Sequence, residues 1–492
     1  MELNSVKEMA VGAETDMAVD VDVDVLVVGA GPTGLALGAD LARRGVDALV
    51  VERADGLFPG SRGKGIQPRT MEVFDDLGVL DAIRAAGGDY PVGMIWQDGR
   101  RVGEHQMFDP AEPTDDSPYN APWMVPQWRT QEILFARLTD LGGRVAFGRE
   151  MVALAQDEDG VTVEFASGAP VHARYVVAAD GGRSAVRRAL GIAMTGETVD
   201  PGPMLVADVR ITGLDRDNWH VFPPSEDTGG GFLAICPLAG TEDFQVVAQF
   251  PDGTDVDLSP DGIRKTVAAR SHLSPEAVTE VRWASDFRPR TALADRFRAG
   301  RVFLAGDAAH IHSPAGGQGL NTSVQDAYNL GWKLGTVLRG AAPGSLLDTY
   351  EEERLPVAAD MLGLSTRVHR GELRRGGATR QLGLGYRDSS LAVETRTDLP
   401  DGALRAGDRA PDGNVEGVRL FDVFRGPHWT LLTVGTDAEP PVLPGVRTAR
   451  IGSYERYGTG VFLVRPDGYV GWAGTDARDL PAYAARAGLA VG

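Results

Sequence analysis

The chain has 492 residues, 43% of them hydrophobic, with a net charge of −20 at pH 7 and a pI near 4.9. That negative charge argues against a nucleic-acid or acidic-membrane partner; the acids are spread along the chain rather than gathered in a tail, so they read mainly as solubility. A single cysteine, Cys236, excludes an intramolecular disulfide and any CxxC redox or zinc motif, and no apolar run of about eighteen residues marks a transmembrane helix.

The length suggests about three domain-sized units. Residues 1–21 are acidic and lack both a basic head and an apolar core. They read as a disordered leader of a cytoplasmic protein rather than a signal peptide. Residues 24–52 are the most informative stretch. The apolar run Val25-Leu26-Val27-Val28 reads as a buried strand and breaks at Gly29-Ala30-Gly31-Pro32-Thr33-Gly34. A helical pattern through Leu35, Leu37 and Leu41 follows, then a second apolar run ending at Glu52. Strand, glycine turn, helix and strand within about thirty residues form a dinucleotide-binding unit. Gly29 permits the tight turn, Gly31 lets a pyrophosphate approach the backbone, and Gly34 lets helix and strand pack. The helix N-terminus offers free N–H groups to phosphate, and Glu52 is placed for ribose hydroxyls. An acid there favours FAD or NAD over a 2′-phosphorylated nucleotide.

Beyond this unit the texture changes. Residues 22–90, 126–195 and 293–395 read as one α/β domain, interrupted by residues 91–125 and 196–292. The latter carry alternating segments such as Met204-Leu-Val-Ala-Asp-Val-Arg-Ile and Phe244-Gln-Val-Val-Ala-Gln-Phe, the pattern of a mostly antiparallel sheet. Residues 366–398 look like a connector, and residues 400–492 like a small further domain. No internal repeat is visible.

Two more segments turn a generic dinucleotide site into a flavin site. In the first, the strand Tyr175-Val-Val-Ala-Ala ends at Asp180-Gly181-Gly182. In the second, Val302-Phe-Leu-Ala leads to Gly306-Asp307-Ala308-Ala309-His310, then to glycines at 316, 317 and 319 ahead of a long helix. Either motif alone is an ordinary turn; in this order with the first fingerprint, Asp307 is placed to bind ribityl hydroxyls, and the helix N-terminus to stabilise a reduced ring.

These marks identify a resemblance to the group A FAD-dependent aromatic hydroxylases, the para-hydroxybenzoate-hydroxylase type. The chain is most similar to the branch acting on aromatic polyketides in antibiotic pathways and to its phenol-hydroxylase-like relatives. The resemblance implies a Rossmann-like α/β FAD domain, an inserted mostly antiparallel substrate sheet and a C-terminal thioredoxin-like domain. It implies non-covalent FAD contacted by Gly29, Gly31, Pro32, Thr33, Gly34, Glu52, Arg53, Arg62, Gln127, Met151, Asp180, Gly181, Gly306, Asp307, Pro314, Gly317, Gly319, Leu320 and Asn321. Of these, Arg62 would position the flavin, Met151 would offer backbone to the adenine, and Pro314 would lie beside the reactive face. The implied chemistry is reduction by NADPH or NADH, addition of O2 at flavin C4a, and oxygen transfer from the hydroperoxide to an electron-rich ring of a small aromatic substrate. The final domain has no cysteine, so packing or homodimer formation is left to it.

Other tempting residues have plainer readings. His310 and His312 alternate like a metal pair, but no third ligand accompanies them, so no metal is expected. Arg43-Arg44 and Arg187-Arg188 read as solvated helix faces, and Cys236 as a buried small hydrophobe. Trp96, Trp123, Trp128, Phe232 and Trp283 are each core residues or aromatic walls of a pocket. Two rivals remain at this level: Baeyer–Villiger oxygen insertion on the same fold, and a flavin- or ligand-binding module without catalysis.

Overall fold

The computed structural model describes residues 21–224, 231–439 and 441–489. The leader expected over residues 1–21 therefore lies outside them, apart from Val21, which opens the first strand. Strand β1 (Val21–Val28) sits between β2 (Ala48–Val51) and β3 (Val171–Ala178), and β3 pairs in turn with β4 (Val302–Leu304). All three pairings are parallel, with Val25 opposite both Ala48 and Tyr175 and Val176 opposite Val302. Val25, Leu26, Val27, Val176 and Val302 are wholly buried. Continuous apolar runs suit strands covered on both faces, which is why they show no alternation.

Helix α1 (Pro32–Ala42) packs on the long helix α2 (Gly319–Leu338), which is buried along most of its length. A further helix, α3 (Asp348–His369), continues through Pro356. It runs into the segment read from the sequence as a connector, which begins only after His369. A proline inside a helix costs a hydrogen bond; here tertiary contacts anchor the turns that precede it. The Tyr350 hydroxyl donates to Leu304 O at 2.7 Å, and Arg354 Nε to Asp326 Oδ1 at 2.7 Å.

The alternating segments form a seven-stranded sheet. Met204–Ile211 pairs antiparallel with Phe244–Gln249 and with Val278–Phe287, and the strand Asn218–Phe222 lies parallel to Val92–Gln97. The excursion after residue 90 thus supplies the last two strands at one end of the sheet, Val92–Gln97 and, at the edge, Arg100–His105. One face of the sheet buries Leu205, Val209, Ile235 and Val246 against the helix Pro260–Arg270.

Residues beyond 390 form a separate five-stranded mixed sheet, with Thr430–Val434 parallel to Arg447–Ile451 and antiparallel to Gly460–Val464. A buried ionic network ties it to α2 and α3. Glu353 accepts from Lys333 Nζ at 2.8 Å and from both Arg465 terminal nitrogens at 2.6 and 2.9 Å. Asp467 accepts from Arg465 Nε at 2.9 Å and from Trp332 Nε1 at 3.0 Å. Nearer the surface, Arg409 pairs with Glu72 at 2.9 Å.

Candidate functional site

Four neighbouring parallel strands deliver the sequence motifs to one edge of the first sheet. Gly29 follows β1, Glu52 follows β2, Asp180 follows β3 and Gly306 follows β4, so motifs separated by up to 277 residues meet at the carboxyl ends of adjacent strands. That edge is where open α/β sheets bind ligands. Backbone bonds fix the loops: Gly29 N donates to Val51 O at 2.7 Å, Ala179 N to Val28 O at 2.8 Å and Ala305 N to Ala178 O at 2.9 Å. Glu52 Oε2 accepts from Ala30 N at 3.0 Å and Oε1 from Ala54 N at 3.1 Å, locking the acid against the glycine turn.

The three glycines of the turn serve different ends. Gly29 has φ +111°, and a methyl there would lie 2.3 Å from Ala179 O; a methyl at Gly34 would lie 1.9 Å from Gly29 O. Both glycines are needed by the fold itself. Gly31 is needed by neither: its φ of −73° and ψ of −179° suit any residue, and a methyl there would meet nothing within 4 Å. Gly31 is the N-cap of α1, whose first turn receives no side-chain cap and carries no acid. Uncapped N–H groups facing open space at a helix N-terminus make a cradle for phosphate.

Next to this cradle lies Asp307. Its side chain is exposed and its carboxylate accepts no hydrogen bond from the described residues; desolvation by the surrounding protein raises its pKa, opposed by His310 and Arg62. Arg62 lies over the Phe58 ring at 4.8 Å and feels the charges of Asp307, Arg183 and Arg53. Gln127 Oε1 accepts from Gly63 N at 3.0 Å, and a methyl at Gly63 would lie 3.7 Å from Leu320 Cδ1, so Arg62, Gln127 and Leu320 converge. Asn321 is wholly buried: its Nδ2 donates to Gly65 O and Gly317 O, both at 2.9 Å, and its Oδ1 accepts from Gln67 N at 2.7 Å. The side chain staples the two loops together. Asp180 Oδ2 accepts from Ala185 N at 2.7 Å, capping a short helix, while its Oδ1 is enclosed without a partner. Met151, 7% exposed, opens the strand Met151–Gln156, and Gly306, with φ +64°, packs against Thr33. Pro314, Gly317 and Gly319 form the turn into α2, with Pro314 and Gly317 exposed.

Residues 22–365 match the family described as FAD binding domain, and residues 404–490 the family described as aromatic-ring hydroxylase, C-terminal. The chain belongs to the group A FAD-dependent aromatic hydroxylases. It is 47% identical over 479 residues to a flavin-dependent monooxygenase of Mycobacteroides abscessus, covering 94% of this chain and 99% of that one. It is 34% identical over 475 residues to the rifampicin monooxygenase of Rhodococcus hoagii, covering 93% and 96% respectively. Among solved structures it resembles a ternary complex of aklavinone-11 hydroxylase with FAD and aklavinone, with a TM-score of 0.78 and 29% identity, covering 96% of this chain and 98% of that one. FAD fits what this flavin monooxygenase presents: an uncapped helix N-terminus with open space at Gly31, an acid locked against the glycine turn, and an unengaged carboxylate at Asp307.

The histidines of the hydroxylase are bound into a buried chain. His312 Nε2 lies 3.0 Å from His310 Nδ1, and His310 Nε2 lies 2.6 Å from Asp326 Oδ2, which also accepts from Gly306 N at 2.9 Å. Burial alone would raise the Asp326 pKa, but His310 and Arg354 outweigh it and hold it at about 2. A depressed carboxyl adds stability above its unfolded value and loses it as pH falls through the folded one. Between pH 3.8 and about 2, Asp326 should therefore surrender about 2 kcal/mol. Urea unfolding across that range should show a steep loss in the wild type and a flatter one in Asp326→Asn.

Several residues of the site escaped the sequence reading. Lys64, Tyr90, Phe108 and Trp219 gather between the loop after Arg62 and the seven-stranded sheet: Tyr90 and Phe108 meet edge-to-face at 4.7 Å, and Lys64 Nζ lies 4.4 Å from the Trp219 ring centre. Of the tryptophans singled out earlier, Trp283 flanks Phe58 at 5.2 Å beside Arg62. Trp96 donates to His220 Nδ1 and packs with the helix-covered face of the sheet, and Trp123 donates to Ile83 O. Arg43 and Arg44 are not a solvated face; both are buried and paired with Asp40.

Proposed function

We propose that this monooxygenase hydroxylates a polycyclic aromatic substrate of secondary metabolism that carries free hydroxyl groups, taking electrons from NADPH or NADH and oxygen from O2. The observation that carries the reading is the aromatic cluster of Tyr90, Phe108 and Trp219, which meets the ammonium of Lys64, the residue after the Gly63 that Gln127 and Leu320 approach. The similarity to the rifampicin and aklavinone enzymes over more than nine-tenths of the chain supports it.

In this reading Gly29, Gly31, Pro32, Thr33 and Gly34 hold the pyrophosphate, Glu52 and Arg53 the adenosine ribose, and Met151 the adenine. Asp180, Gly181, Gly306 and Asp307 follow the ribityl-pyrophosphate stretch, with Gln127 on the ribityl chain. Gly317, Gly319, Leu320 and Asn321 border the pyrimidine edge of the ring, Pro314 its reactive face, and Arg62 positions it. The flavin, once bound and reduced, supplies the activation of O2; the chain's own residues orient the aromatic ring and keep water away. Residues 22–90, 126–195 and 293–395 make the FAD domain, and residues 91–125 and 196–292 the substrate domain. The C-terminal sheet is read as thioredoxin-like without redox chemistry, serving packing or a homodimer in a cytoplasmic protein.

Asp307→Ala should lower FAD affinity by about tenfold, the worth of one charge-assisted hydrogen bond, read by fluorescence titration of the apoprotein. The function itself is tested by stopped-flow reduction with NADPH, in which a polycyclic phenol should accelerate flavin reduction. Equal rates with every member of a phenol and quinone panel would contradict it.

A further inference from the structure

Lys64 is a largely enclosed cation in an aromatic setting. Its ammonium donates to the Gln245 side chain and lies over the Trp219 ring, and among the described residues it forms no ion pair. The charged and titratable groups that act on it are Cys236 from the strand Leu233–Pro237, Asp208 from the strand Met204–Ile211, and Arg375. Arg375 itself lies over Phe108 at 5.4 Å and acts on Tyr90. Asp208 Oδ2 accepts from Ser61 N at 2.8 Å, while its Oδ1 is enclosed without a hydrogen-bond partner and makes no ion pair with Lys64. The Trp219 Nε1 is enclosed without a hydrogen-bond partner, and Tyr90 stacks on the Trp219 ring at 6.3 Å. Enclosed charges and polar atoms are costly unless something pairs with them. This subsite combines a cation that forms no ion pair among the described residues, an unused donor and a cluster of aromatic rings.

We propose that Lys64 and Trp219 Nε1 receive an ionised hydroxyl of the substrate, a phenolate or enolate oxygen, while the substrate ring lies against Tyr90 and Trp219. The proposal rests on the hydroxylase reading and names the substrate form that this reading leaves open. The hydroxyl proton leaves to Lys64 if the amine is neutral, or to solvent if it is already charged. Either way an ammonium–oxyanion pair results. Burial lowers the Lys64 pKa in the empty site, and a bound anion opposes that shift. The pairing serves the reaction as well as binding, because an ionised oxygen enriches the ring that must accept an electrophilic oxygen atom.

The test uses the FAD-loaded enzyme and 1,8-dihydroxyanthraquinone, a polycyclic phenol whose visible band moves to longer wavelength on ionisation. Difference spectra across pH should show the bound probe ionising about one unit or more below the free probe, the effect of an adjacent opposite charge. Lys64→Met should abolish that shift and weaken probe binding about tenfold, and Lys64→Arg should restore the shift. Gln245→Glu, which supplies an internal counter-ion while keeping the lysine, should also reduce it and stands in if Lys64→Met fails to fold. An unchanged probe pKa in Lys64→Met or in Gln245→Glu would overturn the assignment. No probe binding, with NADPH oxidation still stimulated by a neutral polycyclic ether, would overturn it and leave the hydroxylase reading intact. No stimulation by any aromatic compound would bring down both.

Discussion

Gly31→Val should yield a folded but colourless protein that binds FAD at least about a hundredfold more weakly than the wild type, the loss of two or more charge-assisted hydrogen bonds. The backbone at Gly31 is extended in ψ with an ordinary negative φ, and no protein atom lies where a methyl would go. Nothing in the fold resists the valine; only a phosphate approaching the uncapped α1 N-terminus would meet it. Gly34→Val is the contrast. Its methyl would fall 1.9 Å from Gly29 O, so that variant should fail to fold. Circular dichroism paired with FAD titration separates the outcomes, and a Gly31→Val protein with normal affinity would remove the pyrophosphate from this loop.

Arg465→Met should destabilise the protein by about 3–5 kcal/mol, the scale for stranding buried partners of an ion network. Arg465 is about 1% exposed, pairs with both Glu353 and Asp467, and lies over the Trp332 ring at 5.2 Å. Its loss leaves two buried carboxylates sharing Lys333. The contacts span the C-terminal sheet and helices α2 and α3, so chemical denaturation should show the two regions losing their joint transition. A midpoint within error of the wild type would mean that the C-terminal sheet is held by its apolar contacts alone.

What the sequence revealed and what it hid divide along physical lines. The glycine turn was legible because local geometry demands it: Gly29 needs a positive φ, and Gly34 leaves no room for a side chain. The parallel strands were legible because burial on both faces leaves an unbroken apolar run, as at Val25–Val28. The Lys64 subsite was hidden because its parts sit at positions 64, 90, 219 and 245, and only the sheet pairing brings them together. Helix α3 was hidden by Pro356, which locally argues against a helix that distant bonds from Tyr350 and Arg354 sustain. Arg43 and Arg44 looked like surface charge because a neighbouring pair of arginines carries no sign of its burial partner, Asp40.

The most direct measurement runs the FAD-loaded enzyme with NADPH and heavy-isotope dioxygen against a panel of polycyclic phenols, with products read by mass spectrometry. A hydroxylase gives a phenolic product carrying one heavy oxygen atom, formed in step with NADPH consumption. NADPH consumption that ends only in hydrogen peroxide, with no labelled product from any member of the panel, would contradict the account.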